Sequence, residues 1–84
     1  MANKEILKKQ IIYRSMHRSS KEMDLLLGNF VKKNIKLFTL KGLIDLYNLI
    51  QIDDEILKNW YVNNKSHRSI PNNNVSKMLK KFKL

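Results

Sequence analysis

Ser19-Ser20-Lys21-Glu22-Met23-Asp24-Leu25-Leu26-Leu27-Gly28-Asn29-Phe30-Val31-Lys32-Lys33 carries the clearest periodicity in the sequence. Met23, Leu26, Leu27, Phe30 and Val31 fall at offsets 0, 3, 4, 7 and 8, which places them on one face of a helix. The spacing predicts a helix that runs to about Lys33. Ser19 is expected to be its N-cap, with Glu22 reaching back to the Ser19 N–H in a capping box. Gly28 lies inside this helix at a cost of about 1 kcal/mol against alanine, which suggests a close helix crossing.

The same period continues on both sides. Residues 5–17 place Leu7, Ile11 or Ile12, and Met16 on a basic amphipathic helix. Thr39 can cap a third helix whose main stripe is Leu40, Leu43, Ile44, Tyr47 and Ile50, widened by Leu46 and Leu49. A face that wide predicts a central helix covered on more than one side. Asp53 can cap a short fourth helix, with Asp54 and Glu55 in the first turn and Ile56, Leu57, Trp60 and Tyr61 inward. Residues 63–74 are polar, contain Pro71 and read as a loop. A last helix would bury Val75, Met78, Leu79 and Phe82 and turn Lys77, Lys80, Lys81 and Lys83 outward. No segment alternates with period two long enough to argue a strand. The expected fold is all-α, a small compact bundle of about five short helices.

With 84 residues the chain has room for one small domain, and such a chain buries only about two thirds of its unfolded surface. A large buried active-site cavity is not expected. The absence of cysteine excludes a disulfide scaffold, a thiol nucleophile and a cysteine zinc site. No apolar run exceeds Leu25-Leu26-Leu27, far short of the roughly 20 residues of a membrane span, and the N-terminal residues lack the apolar core of a secretory signal.

Lys and Arg number 17 against 7 Asp and Glu, a formal charge of +10. Nucleic-acid binding is the first reading of such an excess. Lysine, asparagine and isoleucine together supply 33 residues, however, a bias that fits drift toward A- and T-rich codons. Acidic segments alternate with basic ones, and only three of the cations are arginine, the residue suited to bidentate phosphate or base contacts. A solvated lysine coat is the plainer account, and no specific nucleic-acid partner is expected.

The equipment of an enzyme is missing. His17 and His67 lie in different segments with no metal-ligand spacing around either. Gly28 and Gly42 are isolated, so no phosphate-cradling loop exists. Asp53-Asp54-Glu55 lacks the ligand spacing of a calcium loop and reads as a helix start. Trp60-Tyr61 reads as core. What stands out is Arg18-Ser19-Ser20-Lys21-Glu22-Met23-Asp24, where charges alternate at a helix start with free backbone N–H groups. It reads either as a capped helix with favourable first-turn acids or as a polar patch that docks a partner. Neither Arg18 nor Glu22 serves the apolar face, so replacing either by alanine is expected to leave helix content nearly intact.

The stretch from Tyr13 to Phe30, Tyr13-Arg14-Ser15-Met16-His17-Arg18-Ser19-Ser20-Lys21-Glu22-Met23-Asp24-Leu25-Leu26-Leu27-Gly28-Asn29-Phe30, resembles the signature of the SdhE family. These are FAD assembly factors of succinate dehydrogenase, related to the mitochondrial succinate dehydrogenase assembly factors. The family motif reads Arg-Gly-x-x-Glu-x-Asp before an apolar stretch ending near a Phe. Arg18, Glu22 and Asp24 match it, and Asn59-Trp60 matches a later, looser pattern; Ser19 stands at the motif glycine. The resemblance covers about residues 5–83 and is most specific over 13–30.

The resemblance implies that residues 1–84 form one five-helix domain. It would bind the flavoprotein subunit of succinate dehydrogenase, or of the related fumarate reductase, and promote covalent attachment of FAD to a histidine of that subunit. A protein of this kind is an assembly chaperone rather than an enzyme, acting by positioning. FAD would be the partner's cofactor, with none bound stably here. Carried over by residue, Arg18, Glu22 and Asp24 form the partner-binding core, and Ser19 stands at the closest approach. Arg14, Tyr13 and Lys21 share that face. Ser19 is expected to be an unstrained N-cap, the family glycine serving close approach of the partner. A monomer in a bacterial cytoplasm is expected. An antitoxin-like regulatory protein and a non-specific nucleic-acid binder are the alternatives, separable by which partner the chain captures.

Overall fold

The computed structural model describes residues 4–18 and 20–83. They form five α-helices: α1 (Lys4–Met16), α2 (Lys21–Asn34), α3 (Leu40–Ile50), α4 (Asp54–Asn63) and α5 (Asn74–Lys81). A 3-10 turn (Ile35–Leu37) joins α2 to α3, and no strand occurs among the described residues. The all-α expectation holds.

The starts of α3, α4 and α5 have a local chemical cause. Thr39 Oγ1 accepts from the Gly42 N–H at 3.3 Å, and Asp53 Oδ1 accepts from the Glu55 N–H at 2.8 Å. Asn73 and Ser76 form a reciprocal capping box that opens α5, with the Ser76 hydroxyl buried. At its far end α4 stops at Asn64, which takes the left-handed conformation at φ 56°, where asparagine is among the few non-glycine residues tolerated.

The face of α2 is the one its periodicity predicts: Met23, Leu26, Leu27, Phe30 and Val31 are all buried. Phe30 meets the Phe82 ring edge-on at 5.4 Å and Phe38 at 6.4 Å, which closes the C-terminal segment over the core. α1 packs against α2 and α3, and α3 also packs against α5. The central placement expected of α3 is therefore observed, but its face is rotated. Leu43, Leu46, Leu49 and Ile50 are buried, Leu40 and Ile44 are exposed, and Tyr47 is half-buried. With seven apolar residues in eleven, α3 offers more than one acceptable stripe, and the partners on either side select one.

Three further expectations change. Met16 does not join the core of α1; it is exposed, and Ser15 is buried beside Ile11 instead, its hydroxyl donating to the Ile12 carbonyl at 2.9 Å. Met78 lies at the margin of exposure on α5, and of the α4 residues expected inward only Leu57 is fully buried, with Ile56, Trp60 and Tyr61 half-buried. Lys80 folds back rather than outward. Its ammonium lies 4.7 Å from the Trp60 ring centroid and donates to the Trp60 carbonyl, while burial and then the charge of Lys83 lower its pKa.

The rotated face of α3 can be tested by two truncations. Leu46→Ala, at a position 0% exposed, should cost about 2–5 kcal/mol in urea unfolding. Ile44→Ala, at a position 45% exposed, should cost less than about 1 kcal/mol. Equal losses would place both side chains in the core and contradict the packing described.

Candidate functional site

The turn between α1 and α2 is assembled around Arg18. Its backbone N–H donates to Asp24 Oδ1 at 2.7 Å, which pins the start of α2 to the end of α1. Its guanidinium reaches across the molecule: Nε donates to Asp54 Oδ1 at 2.7 Å, and Nη2 pairs with the same oxygen. Nη2 also donates to the Ile52 carbonyl at 3.1 Å, and Nη1 donates to the carbonyls of Ile50 and, at 3.4 Å, Arg14. The carbonyl of Ile50 closes the C-terminal end of α3, the negative pole of its dipole, where backbone acceptors lack helical partners, and that of Ile52 lies just beyond it in the connection to α4. One cation thus satisfies the end of α3 and the first-turn acid of α4 together.

Arg18 and Asp54 side chains are 10% and 14% exposed, so this is a nearly buried ion pair. Arg18, whose replacement is expected from sequence to leave helix content nearly intact, is therefore tied into the fold by its side chain. The absence of Arg18 from the apolar face concealed its role, because its contacts are polar and reach residues 32 to 36 positions away. Asp54 was visible only as a helix-start acid; nothing local to it signals Arg18.

The capping reading of α2 is corrected as well. The N-cap is Ser20, in an extended conformation, with its side chain accepting from the Met23 N–H at 3.4 Å. Met23 therefore occupies the third helical position, and no capping box forms. Glu22 turns away and accepts from Lys58 of α4 at 3.0 Å, both side chains well exposed. Ser19 lies outside the described residues, as does the expectation about its backbone.

The remaining side chains split by exposure. Tyr13 is exposed and stacks on His17 with ring centroids 4.0 Å apart, and His17 Nδ1 donates to the Tyr13 carbonyl at 2.7 Å. Arg14 lies 5.8 Å from the Tyr47 ring centroid and donates to Gln51 Oε1 at 3.4 Å. Tyr13, Arg14, His17 and Arg18 line a shallow depression with Lys9 and Gln10. Lys21 and Glu22 are exposed beyond the turn, while Asp24 is half-buried. The structure thus brings Tyr13, Arg14 and Arg18 to one depression and sets Lys21, Glu22 and Asp24 on the adjoining start of α2. The Tyr13–His17 stack is a feature the sequence reading missed; its signal is the aromatic pair at spacing i, i+4 on a helix.

The chemistry on offer is recognition. Among the described residues no group of three His, Asp or Glu side chains could hold a metal ion. The turn presents an aromatic ring, a histidine, cations and carboxylates on a backbone held by Arg18.

A family model described as "flavinator of succinate dehydrogenase" matches residues 9–83. The chain is also similar to a FAD assembly factor, SdhE, of Acetobacter pasteurianus, at 32% identity over 53 residues, which is 63% of this chain and 49% of that protein. The matched stretch spans about half the length of that relative. No solved structure matches significantly.

Removing either partner of the buried pair should be costly. Arg18→Ala and Asp54→Asn are each expected to lose about 3 kcal/mol of unfolding free energy, and the double variant less than their sum. Glu22→Ala, which breaks an exposed pair, should lose under about 1 kcal/mol. Chemical denaturation of the four variants measures this, and additive losses would show that Arg18 and Asp54 do not act as a pair.

Proposed function

The chain belongs to the family of succinate dehydrogenase flavinators, and on that footing we propose that it binds the flavoprotein subunit of succinate dehydrogenase or fumarate reductase and promotes covalent attachment of FAD to it. The observation that carries the reading is the family match, which runs through all five helices. It is a role for an assembly chaperone and not for an enzyme. FAD and its linking histidine belong to the partner, and this chain holds no flavin of its own. Neither the antitoxin-like nor the nucleic-acid alternative draws support from the comparisons.

In this reading the docking face is Tyr13, Arg14, Lys21, Glu22 and Asp24, with Ser19 at the closest approach. Arg18 acts beneath them as a positioning residue. A docking turn held in one geometry loses little conformational entropy on binding, which favours affinity and a fixed orientation. Orientation is what a chaperone without catalytic groups can contribute, by presenting the flavoprotein's histidine to the flavin. No helix here is long and apolar enough to cross a membrane among the described residues. A monomer working in a bacterial cytoplasm fits this reading.

Co-expression with the flavoprotein subunit of the same organism's succinate dehydrogenase, followed by in-gel flavin fluorescence, tests it. The wild type should raise covalent flavin. Glu22→Ala should weaken flavoprotein binding by roughly tenfold while leaving helix content unchanged, as expected for a lost hydrogen bond to a charged group. Full flavin and full binding with both Glu22→Ala and Lys21→Ala would remove these residues from the docking face.

The lysine coat provides a separate expectation. Neutralising Lys77, Lys81 and Lys83 should leave flavinylation unchanged, and the wild type should bind DNA only weakly at physiological salt. Lys80 is left in place because it packs on Trp60. Sub-micromolar, sequence-specific DNA binding at that salt would favour the nucleic-acid alternative instead.

A further inference from the structure

A groove runs along the junction of α1 and α2, and its floor is Gly28. It is made of two adjoining depressions that share Met16, Gly28 and Lys32; Leu25 lines one, and Ile12 and Lys36 line the other. The three apolar side chains are 40%, 55% and 51% exposed, a concentration of apolar surface that marks interaction sites on soluble proteins. Leu25, Gly28 and Lys32 are spaced along one face of α2, with Leu25 and Lys32 exposed and Gly28 half-buried.

Gly28 has no structural reason to be glycine. It sits in the middle of α2, where glycine is unfavourable relative to alanine, and its φ is not positive. A Cβ there would lie 3.9 Å from Met16 Cγ and 3.9 Å from the Ser15 carbonyl oxygen, ordinary van der Waals distances. The helix crossing therefore accepts alanine, contrary to the expectation from sequence. What a methyl group would remove is depth from the groove.

The identity of the occupant follows from charge and position. A second copy of this chain would bring a +10 molecule against Lys32 and Lys36. An acid-flanked apolar segment has complementary charge. The valley between two packed helices suits a third helix, packed ridge into groove. The groove also opens at Asp24 and Met16, next to the turn that docks the flavoprotein in the proposed function. We propose that this groove seats an amphipathic helix of the flavoprotein subunit, apolar on one side and flanked by carboxylates, with its closest side chain against Gly28. The proposal rests on the flavoprotein being the partner.

Binding of the wild type and of Gly28→Ala to the purified flavoprotein subunit, with thermal unfolding of both, tests it. Gly28→Ala should raise the melting temperature by about 5 °C and weaken binding roughly tenfold, because the added methyl overpacks the occupied groove. Lys32→Glu combined with Lys36→Glu should weaken binding and flatten its salt dependence. Equal binding by the wild type and Gly28→Ala overturns the groove while leaving the functional reading intact. A fall in melting temperature for Gly28→Ala overturns it too, by assigning the glycine to the crossing. A wild-type dimer that Gly28→Ala dissociates would assign the groove to a second copy. No wild-type binding at all would overturn the functional reading and, with it, the occupant named here.

Discussion

Arg18 is the point at which three helix ends meet. Its backbone holds Asp24 at the start of α2, and its guanidinium holds the Ile50 carbonyl at the end of α3, the Ile52 carbonyl just beyond it and the first-turn carboxylate of α4. A guanidinium suits this position because it presents five donors in a rigid plane and stays charged, so it can serve carbonyls and a carboxylate in different directions at once. A lysine would bring a single ammonium and leave part of the array unmatched. Because the pair is nearly buried, its favourable geometry chiefly offsets the cost of desolvating both charges. It ties the starts of α2 and α4 and the end of α3 to one another.

That arrangement divides the charged motif into two kinds of residue. Arg18 faces inward and is saturated, whereas Tyr13, Arg14, Lys21 and Glu22 face outward on the frame it holds. A motif read as one contact surface is thus a support and a surface. In the proposed function the division matters because a small helical domain has few means of acting on a flavoprotein other than to bind it in a defined pose. A turn fixed by internal hydrogen bonds would lose little conformational entropy on docking.

The groove at Gly28 shows a related trade. A glycine in mid-helix lowers the stability of a domain whose core is thin, and nothing in the packing around it needs the missing Cβ. Residues that weaken a fold without a structural return mark places where another molecule comes close. Here the groove and the turn proposed to dock the flavoprotein share Met16 and Asp24 as neighbours, so one partner could cover both.

The sequence alone determined the helices and most of their starts. Thr39 and Asp53 cap as their side-chain chemistry predicts, and the five core residues of α2 lie on the face set by their spacing, because caps and stripes are interactions between residues two to four apart. The resemblance of Tyr13 to Phe30 located the turn and its family. Tertiary structure decided the rest. It chose Leu46 over Ile44 on the apolar surface of α3, left Met16 in solvent and drew Lys80 over Trp60. It made Ser20 rather than Ser19 the cap of α2, and it joined Arg18 to Asp54 across 36 residues. Apart from the cap, none of these is a short-range choice. Each of the others depends on which helix ends and faces are brought together when the bundle closes, and a pattern three or four residues long contains no record of that.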